Sequence, residues 1–276
     1  MRTRRSLALM TAAFVLTGTS AAAAYERPAP RDRAAVSVPV TVVGQPRQMG
    51  VGEVQTAWAD CPAGYYATGG GAHTSGGAPY LSISIGHPRS DAANRWFVDV
   101  RNYGTGPATV AAYVICDQAT HYVREVITEH VPHGQTASAT AHCPAGTTAS
   151  GGGYSVVGDR SQFLVTDSGT SSGTDWRAEG VNYSAEPGLI VSQVICSTQT
   201  HHPRLGNPDN PLPRSNGSSV SECQPNELPT GGGQFVGAFV HPYNSYFEGR
   251  RWTVAAANYS DSRQHVIAQV ICRPTG

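Results

Sequence analysis

A serine, several histidines and a scatter of carboxylates are the groups through which this chain could do chemistry. Gly169-Thr170-Ser171-Ser172-Gly173 spells the GxSxG pattern of serine hydrolases. That pattern works when a strand precedes the serine and a helix follows it, because the sharp turn between them exposes the hydroxyl. Here the surroundings read SGTSSGTD, a polar turn, so Ser171 is not expected to be a nucleophile. His87 and His241 each precede a proline, His121 and His201 each lie five residues after a cysteine, and His130, His133, His142 and His202 are spread over linkers. A metal centre needs ligands converging from rigid elements, and no HExxH occurs. Asp91, Asp167, Asp175 and Glu248 would serve glycoside hydrolysis only if two of them were held a fixed distance apart, and their spacing does not impose that. The expectation is a protein that is not an enzyme and carries no metal and no cofactor.

Sugar stacking is a different chemistry, needing an aromatic face with polar groups beside it. The candidates for glycan binding are Tyr80, Asp91 and Asn94, with Arg89 nearby, and Tyr243, Asn244 and Tyr246, with Glu248 nearby.

Those residues sit in the variable part of an internal repeat. Seven residues separate each of Cys61, Cys143 and Cys223 from a triple glycine. Trp96, Trp176 and Trp252 follow, each with Asn-Tyr six residues on: Asn102-Tyr103, Asn182-Tyr183 and Asn258-Tyr259. Ten residues separate each Tyr from a Val-Ile-Cys, which ends at Cys116, Cys196 and Cys272. Agreement at fixed offsets in three copies marks a repeat architecture. From the last glycine to the Trp the distance is 25, 23 and 19 residues. Rigid elements keep their length and surface loops change theirs, so that span holds loops and the flanks are framework.

The framework reads as strands. Trp96, Val98 and Val100 alternate with Phe97, Asp99 and Arg101, the period of a half-buried strand. Residues 110–116, 189–196 and 266–272 are short apolar runs, which suit more fully buried strands. Glycine inside a strand is entropically costly, so a triple glycine in every copy marks a place where no side chain fits. A bulge, a neighbouring backbone or a Trp lying flat over the chain would each explain it. No GK[ST] follows, so a phosphate cradle is excluded. The Asn of each Asn-Tyr is expected to satisfy buried backbone groups at a strand end.

The amino end has the order of a secretory signal: Arg2, Arg4 and Arg5, an apolar stretch from Leu7 to about Thr17, then small residues to Ala24. Export makes an even six cysteines without CxxC a disulfide framework. Pairing within each copy gives Cys61–Cys116, Cys143–Cys196 and Cys223–Cys272, so that every copy is the same closed unit. The symmetric rival is Cys116–Cys143, Cys196–Cys223 and Cys272–Cys61.

All 19 basic residues are Arg against 19 acids, and charged residues are only 14%. That balance excludes a nucleic-acid binder working through a basic field, and no apolar segment of the mature chain suits a membrane span. The expected fold is all-β, with three pseudo-equivalent disulfide-closed repeats in a β-prism-like body, or else three tandem β modules. The parts are a signal peptide (1–24), an N-terminal arm (25–48), repeat 1 (49–118), a linker (119–135), repeat 2 (136–198), a Pro-rich linker (199–217) and repeat 3 (218–276). The arm carries Val36, Val38, Val40, Val42 and Val43 around Pro39, β-forming residues with no counterpart before the other copies. Such a strand can add to a partner's sheet edge.

The series CPAG, GGG, W, NY and VIC, over residues 58–274, resembles secreted actinomycete proteins with Cys- and Gly-rich repeats. In its small, disulfide-stapled β character with a free N-terminal segment, the chain is also similar to the adaptor subunit of Streptomyces umbrella toxin particles. There a small subunit links lectin-bearing subunits to a large toxin-bearing one. The resemblance implies a secreted, extracellular interaction module whose arm docks into a protein partner, with a carbohydrate-binding protein as the alternative, and it implies no catalytic residues.

Overall fold

The computed structural model describes residues 38–76, 81–89, 92–118, 121–127, 131–159 and 162–275. The described chain is all-β, with 19 strands. Repeat 1 supplies β1 (Val40–Val43), β2 (Arg47–Met49), β3 (Val54–Asp60), β4 (Tyr66–Gly76), β5 (Leu81–Arg89), β6 (Ala92–Asn102) and β7 (Ala108–Asp117). Repeat 2 supplies β8 (Tyr122–Ile127), β9 (Thr136–His142), β10 (Thr148–Val157), β11 (Phe163–Gly169), β12 (Asp175–Asn182) and β13 (Leu189–Ser197). Repeat 3 supplies β14 (His202–Leu205), β15 (Asn216–Glu222), β16 (Glu227–Val236), β17 (Val240–Glu248), β18 (Arg251–Asn258) and β19 (Val266–Pro274).

No repeat is a module of its own. The three sheets run β1-β7-β4-β17-β18-β15 with β2 also on β7, β3-β6-β5-β10-β13-β8, and β14-β19-β16-β11-β12-β9. Every sheet therefore joins half of one repeat to half of another. The glycine strand and the Val-Ile-Cys strand go to one sheet, and the pre-cysteine, loop and Trp strands go to the next. This arrangement rules out the tandem-module alternative. The halves meet along short pairings, Ser245 with Ala72, Tyr154 with Gly86 and Ser168 with Gln234.

The disulfides follow the within-repeat set, Cys61–Cys116, Cys143–Cys196 and Cys223–Cys272. Because each repeat is split, every bond also ties two different sheets. Cys61 follows β3 in the second sheet while Cys116 lies in β7 of the first, and the other two bonds link the remaining sheet pairs. Closing loops with separations of 55, 53 and 49 residues stabilises by about 4 kcal/mol each on the chain-entropy argument.

The arm and linkers need correcting. Val40–Val43 is not a free arm: it pairs antiparallel with β7, Val40 opposite Cys116. Nor is it without counterparts. Tyr122 stands opposite Cys196, and His202 opposite Cys272. Each linker thus opens its repeat with an edge strand, so the units begin near residues 40, 122 and 202. Pro39 lies just before β1, where its missing N–H breaks no ladder. Of the other arm residues, Val38 is exposed and Val36 lies outside the described residues.

The glycine triplets are explained by close approach. A Cβ on Gly70, Gly152 or Gly232 would fall 2.5, 2.3 or 2.0 Å from the ring of Trp96, Trp176 or Trp252, so each indole lies flat over the middle glycine. The first glycines meet the neighbouring triplets: a Cβ on Gly151 would lie 2.0 Å from the Thr68 carbonyl oxygen, and one on Gly69 2.5 Å from Gly231 Cα. Thr68 Oγ1 donates to the Thr230 carbonyl at 2.6 Å, and Thr230 Oγ1 to that of Ser150 at 2.8 Å. The three repeats are thus joined where their glycine strands meet. The three Trp side chains are at most 1% exposed.

Candidate functional site

Of the hydrolytic candidates, Asp91 lies outside the described residues, and Ser171 and Asp175 bond each other. Asp175 accepts from Thr170 Oγ1 at 2.7 Å, Ser171 Oγ at 3.1 Å and the Ser172 N–H at 3.3 Å. Burial pushes its pKa up, but these hydrogen bonds outweigh burial and hold it below the usual carboxylate range. Ser171 therefore caps a turn around an acid. Asp167 stands across from Glu179. Burial, then the Glu179 charge, pushes its pKa up to about 6, with Arg177 acting against them. Glu227 approaches the Cys223–Cys272 bridge, but disulfide sulfurs offer no thiolate, and Arg204 binds this carboxylate through two hydrogen bonds of 2.7 Å.

The glycan candidates do not form one site. Tyr80 and Asp91 lie outside the described residues. Asn94 is exposed, and its carbonyl accepts the Cys61 N–H at 2.6 Å. Tyr243 packs on the core, while Asn244 Oδ1 accepts the Thr74 N–H at 2.6 Å. Among the described candidates Tyr246 joins other rings, 5.1 Å from His73 and 5.8 Å from Tyr113 on adjacent strands of the first sheet.

Residues outside that candidate set line a concavity. Tyr103 from repeat 1, Gln162, Phe163, Leu164 and Tyr183 from repeat 2, and Phe239 and His241 from repeat 3 enclose about 270 Å³. Asparagine caps build it. Asn102 Nδ2 donates to the Gly106 carbonyl at 2.8 Å and its Oδ1 accepts the Gly104 N–H at 2.8 Å. Asn182 makes the same pair of bonds, to the Glu186 carbonyl and from the Ser184 N–H. The caps satisfy backbone where β6 and β12 end, and they fix the tyrosines that follow. The Tyr183 N–H reaches the Gln162 carbonyl at 2.7 Å, and that of Tyr259 reaches Phe239 at 2.9 Å.

Phe163 is buried and forms part of the wall. Its ring lies against Gly180 and Gly188, where added Cβ atoms would approach within 2.8 and 3.2 Å. Phe239 is 49% exposed and has φ of +58°, a left-handed conformation costly for a bulky residue. It stacks on Tyr183 with ring centroids 5.9 Å apart. The Arg101 guanidinium sits 4.9 Å over the Tyr103 ring. Burial lowers the His241 pKa to about 4 and raises those of both tyrosines. At neutral pH the lining is therefore uncharged and largely aromatic.

The repeated Asn-Tyr was the available signal for this site, since a tyrosine just beyond a strand end has no sheet neighbour to cover it. The chain matches no protein-family model, and no curated protein matches it in sequence.

Proposed function

We propose that this protein is a non-catalytic extracellular interaction module, and that it grips a protein partner by taking one uncharged apolar side chain into the pocket between Tyr103, Tyr183 and Phe239. The carrying observation is the lining itself: aromatic, free of ionised groups at neutral pH, and rimmed by an exposed Phe239 in a strained conformation. Such concavities serve as hot-spot pockets for aliphatic or aromatic anchors. A sugar would want several polar partners around the ring, and Gln162 is the one amide in the wall. In this reading the chain acts as an adaptor in a secreted complex. Photo-crosslinking from position 239 in the native secreted protein tests the pocket. The expected product joins a protein partner at an apolar residue, and crosslinking only to solvent or to glycan overturns the reading.

A second reading has its own observation. His73, Tyr113 and Tyr246 tile one face of the first sheet, a platform for a sugar ring. Glycan-array binding lost in Tyr246→Ala and kept in Phe239→Gly would favour it.

A further inference from the structure

A second, smaller cavity lies where the glycine strands meet. Glycines of all three triplets line it, together with Trp96, Trp252, Gln234, Ser168, Ser245 and Tyr154. Its free volume is about 30 Å³, room for one water-sized or halide-sized particle.

The hydrogen-bonding inventory of this wall is one-sided. Trp96 Nε1, Trp252 Nε1 and Gln234 Nε2 are buried donors with no protein acceptor. Their residues are 1%, 1% and 3% exposed. The third indole, Trp176 Nε1, is satisfied by Ser168 Oγ at 3.0 Å, which leaves that hydroxyl its own hydrogen to give. Among the described residues no carboxylate and no orphaned side-chain acceptor lines the cavity. Buried donors are almost always paired, so the occupant must accept several hydrogen bonds at once. A water would accept two and bring two hydrogens into a wall already rich in them. A monatomic anion only accepts, and the low local dielectric strengthens each bond. Phe would cover a glycine as well as Trp does, so packing alone does not account for the unpaired indole N–H groups.

We propose that this cavity binds a single chloride ion through the indole N–H groups of Trp96 and Trp252 and the side-chain amide of Gln234. The ion ties strands of repeats 1 and 3 together at the point where the glycine strands meet.

The test uses the full secreted chain with its disulfides intact, refolded and melted in sodium chloride or in sodium methanesulfonate at equal ionic strength. Tm is expected to rise by about 5 °C for a hundredfold increase in chloride above its Kd, with no such rise in methanesulfonate. Trp96→Phe and Trp252→Phe keep the ring over the glycine and are expected to abolish the chloride dependence. Gln234→Glu, which puts negative charge in the wall, is expected to do the same. Crystals of protein refolded in bromide are expected to show an anomalous peak in contact with both indole nitrogens. Equal melting in the two salts with only water density in the cavity would overturn the site. So would a chloride dependence that survives both Trp substitutions.

Discussion

The two ends of the strands are built from the same repeat positions and finished in opposite ways. At the cysteine end, the residues after Cys116 and Cys272 are Asp117 and Arg273, which form an ion pair with side chains at most 3% exposed. Arg273 also donates to Gln199 Oε1 at 2.6 Å, and His121 Nδ1 lies 3.0 Å from Ser150 Oγ. His201, 3% exposed, bonds the Gln199 carbonyl through Nδ1 at 2.8 Å. At the Asn-Tyr end, the corresponding loops carry rings: Tyr103, Tyr183 and Phe239, around a concavity of about 270 Å³. One end spends its polar groups on itself and joins the first repeat to the last. The other satisfies its backbone through Asn102, Asn182 and Asn258 and leaves apolar surface outside. Symmetric framework positions thus hold the fold, while the residues just beyond them separate a closed end from an open one.

The sharpest way to break this contrast is at the closed end. Arg273→Met leaves the Asp117 carboxylate buried opposite an uncharged side chain. Removing one partner of a buried pair costs about 3–5 kcal/mol, and urea denaturation with the disulfides intact should show a loss of that size. A loss under about 1 kcal/mol, the value of an exposed pair, would mean that the cap is not what joins the first and last repeats.

Acid should act on both ends, with a smaller effect. His201 and His241 are both lowered to about 4 by burial, against about 6.5 in the unfolded chain. Between those values the unfolded state binds more protons, so each contributes stability that is complete above pH 6.5 and lost as pH falls toward 4. Asp167, raised to about 6 by burial and by Glu179, works the other way, since its contribution is lost as pH rises through 6. Two histidines against one carboxylate leave about one net proton, so stability should climb with pH at about 1.4 kcal/mol per unit across pH 4–6. His201→Gln should flatten this climb, and Asp167→Asn should steepen it. A flat profile in the wild type would show that neither end buries its histidine uncharged.

The contrast also marks how far the sequence could be read. Offsets repeated in three copies narrow the cysteine pairing to two symmetric sets, admit a Trp lying flat over glycine as one explanation of the triplets, and mark Asn at the strand ends, because each of these acts within a single repeat. The exchange of half-repeats between sheets does not, since it depends on contacts such as Ser245 with Ala72, far apart in the chain. The edge strands at Tyr122–Ile127 and His202–Leu205 were hidden for another reason: their pairing is made by backbone, and HPRL, whose proline has no N–H to give, has little of the β-forming character of VTVV. The pocket gathers Tyr103, Phe163 and Phe239 from separate repeats; the repeated Asn-Tyr marks Tyr103, but neither phenylalanine sits in a periodic pattern that announces it.

The smallest stability effect belongs to the open end, where the binding reading predicts the largest functional one. Phe239 holds a left-handed conformation that costs a side-chain-bearing residue about 1–2 kcal/mol, and its stack on Tyr183 returns about 0.5–1.5 kcal/mol. Phe239→Gly removes both together, so its stability should stay within about 1 kcal/mol of the wild type. The same change deletes the rim of the pocket. A variant that melts like the wild type but no longer holds the partner identified by crosslinking would separate recognition from folding. One that melts normally and keeps the partner would show that the exposed ring serves neither.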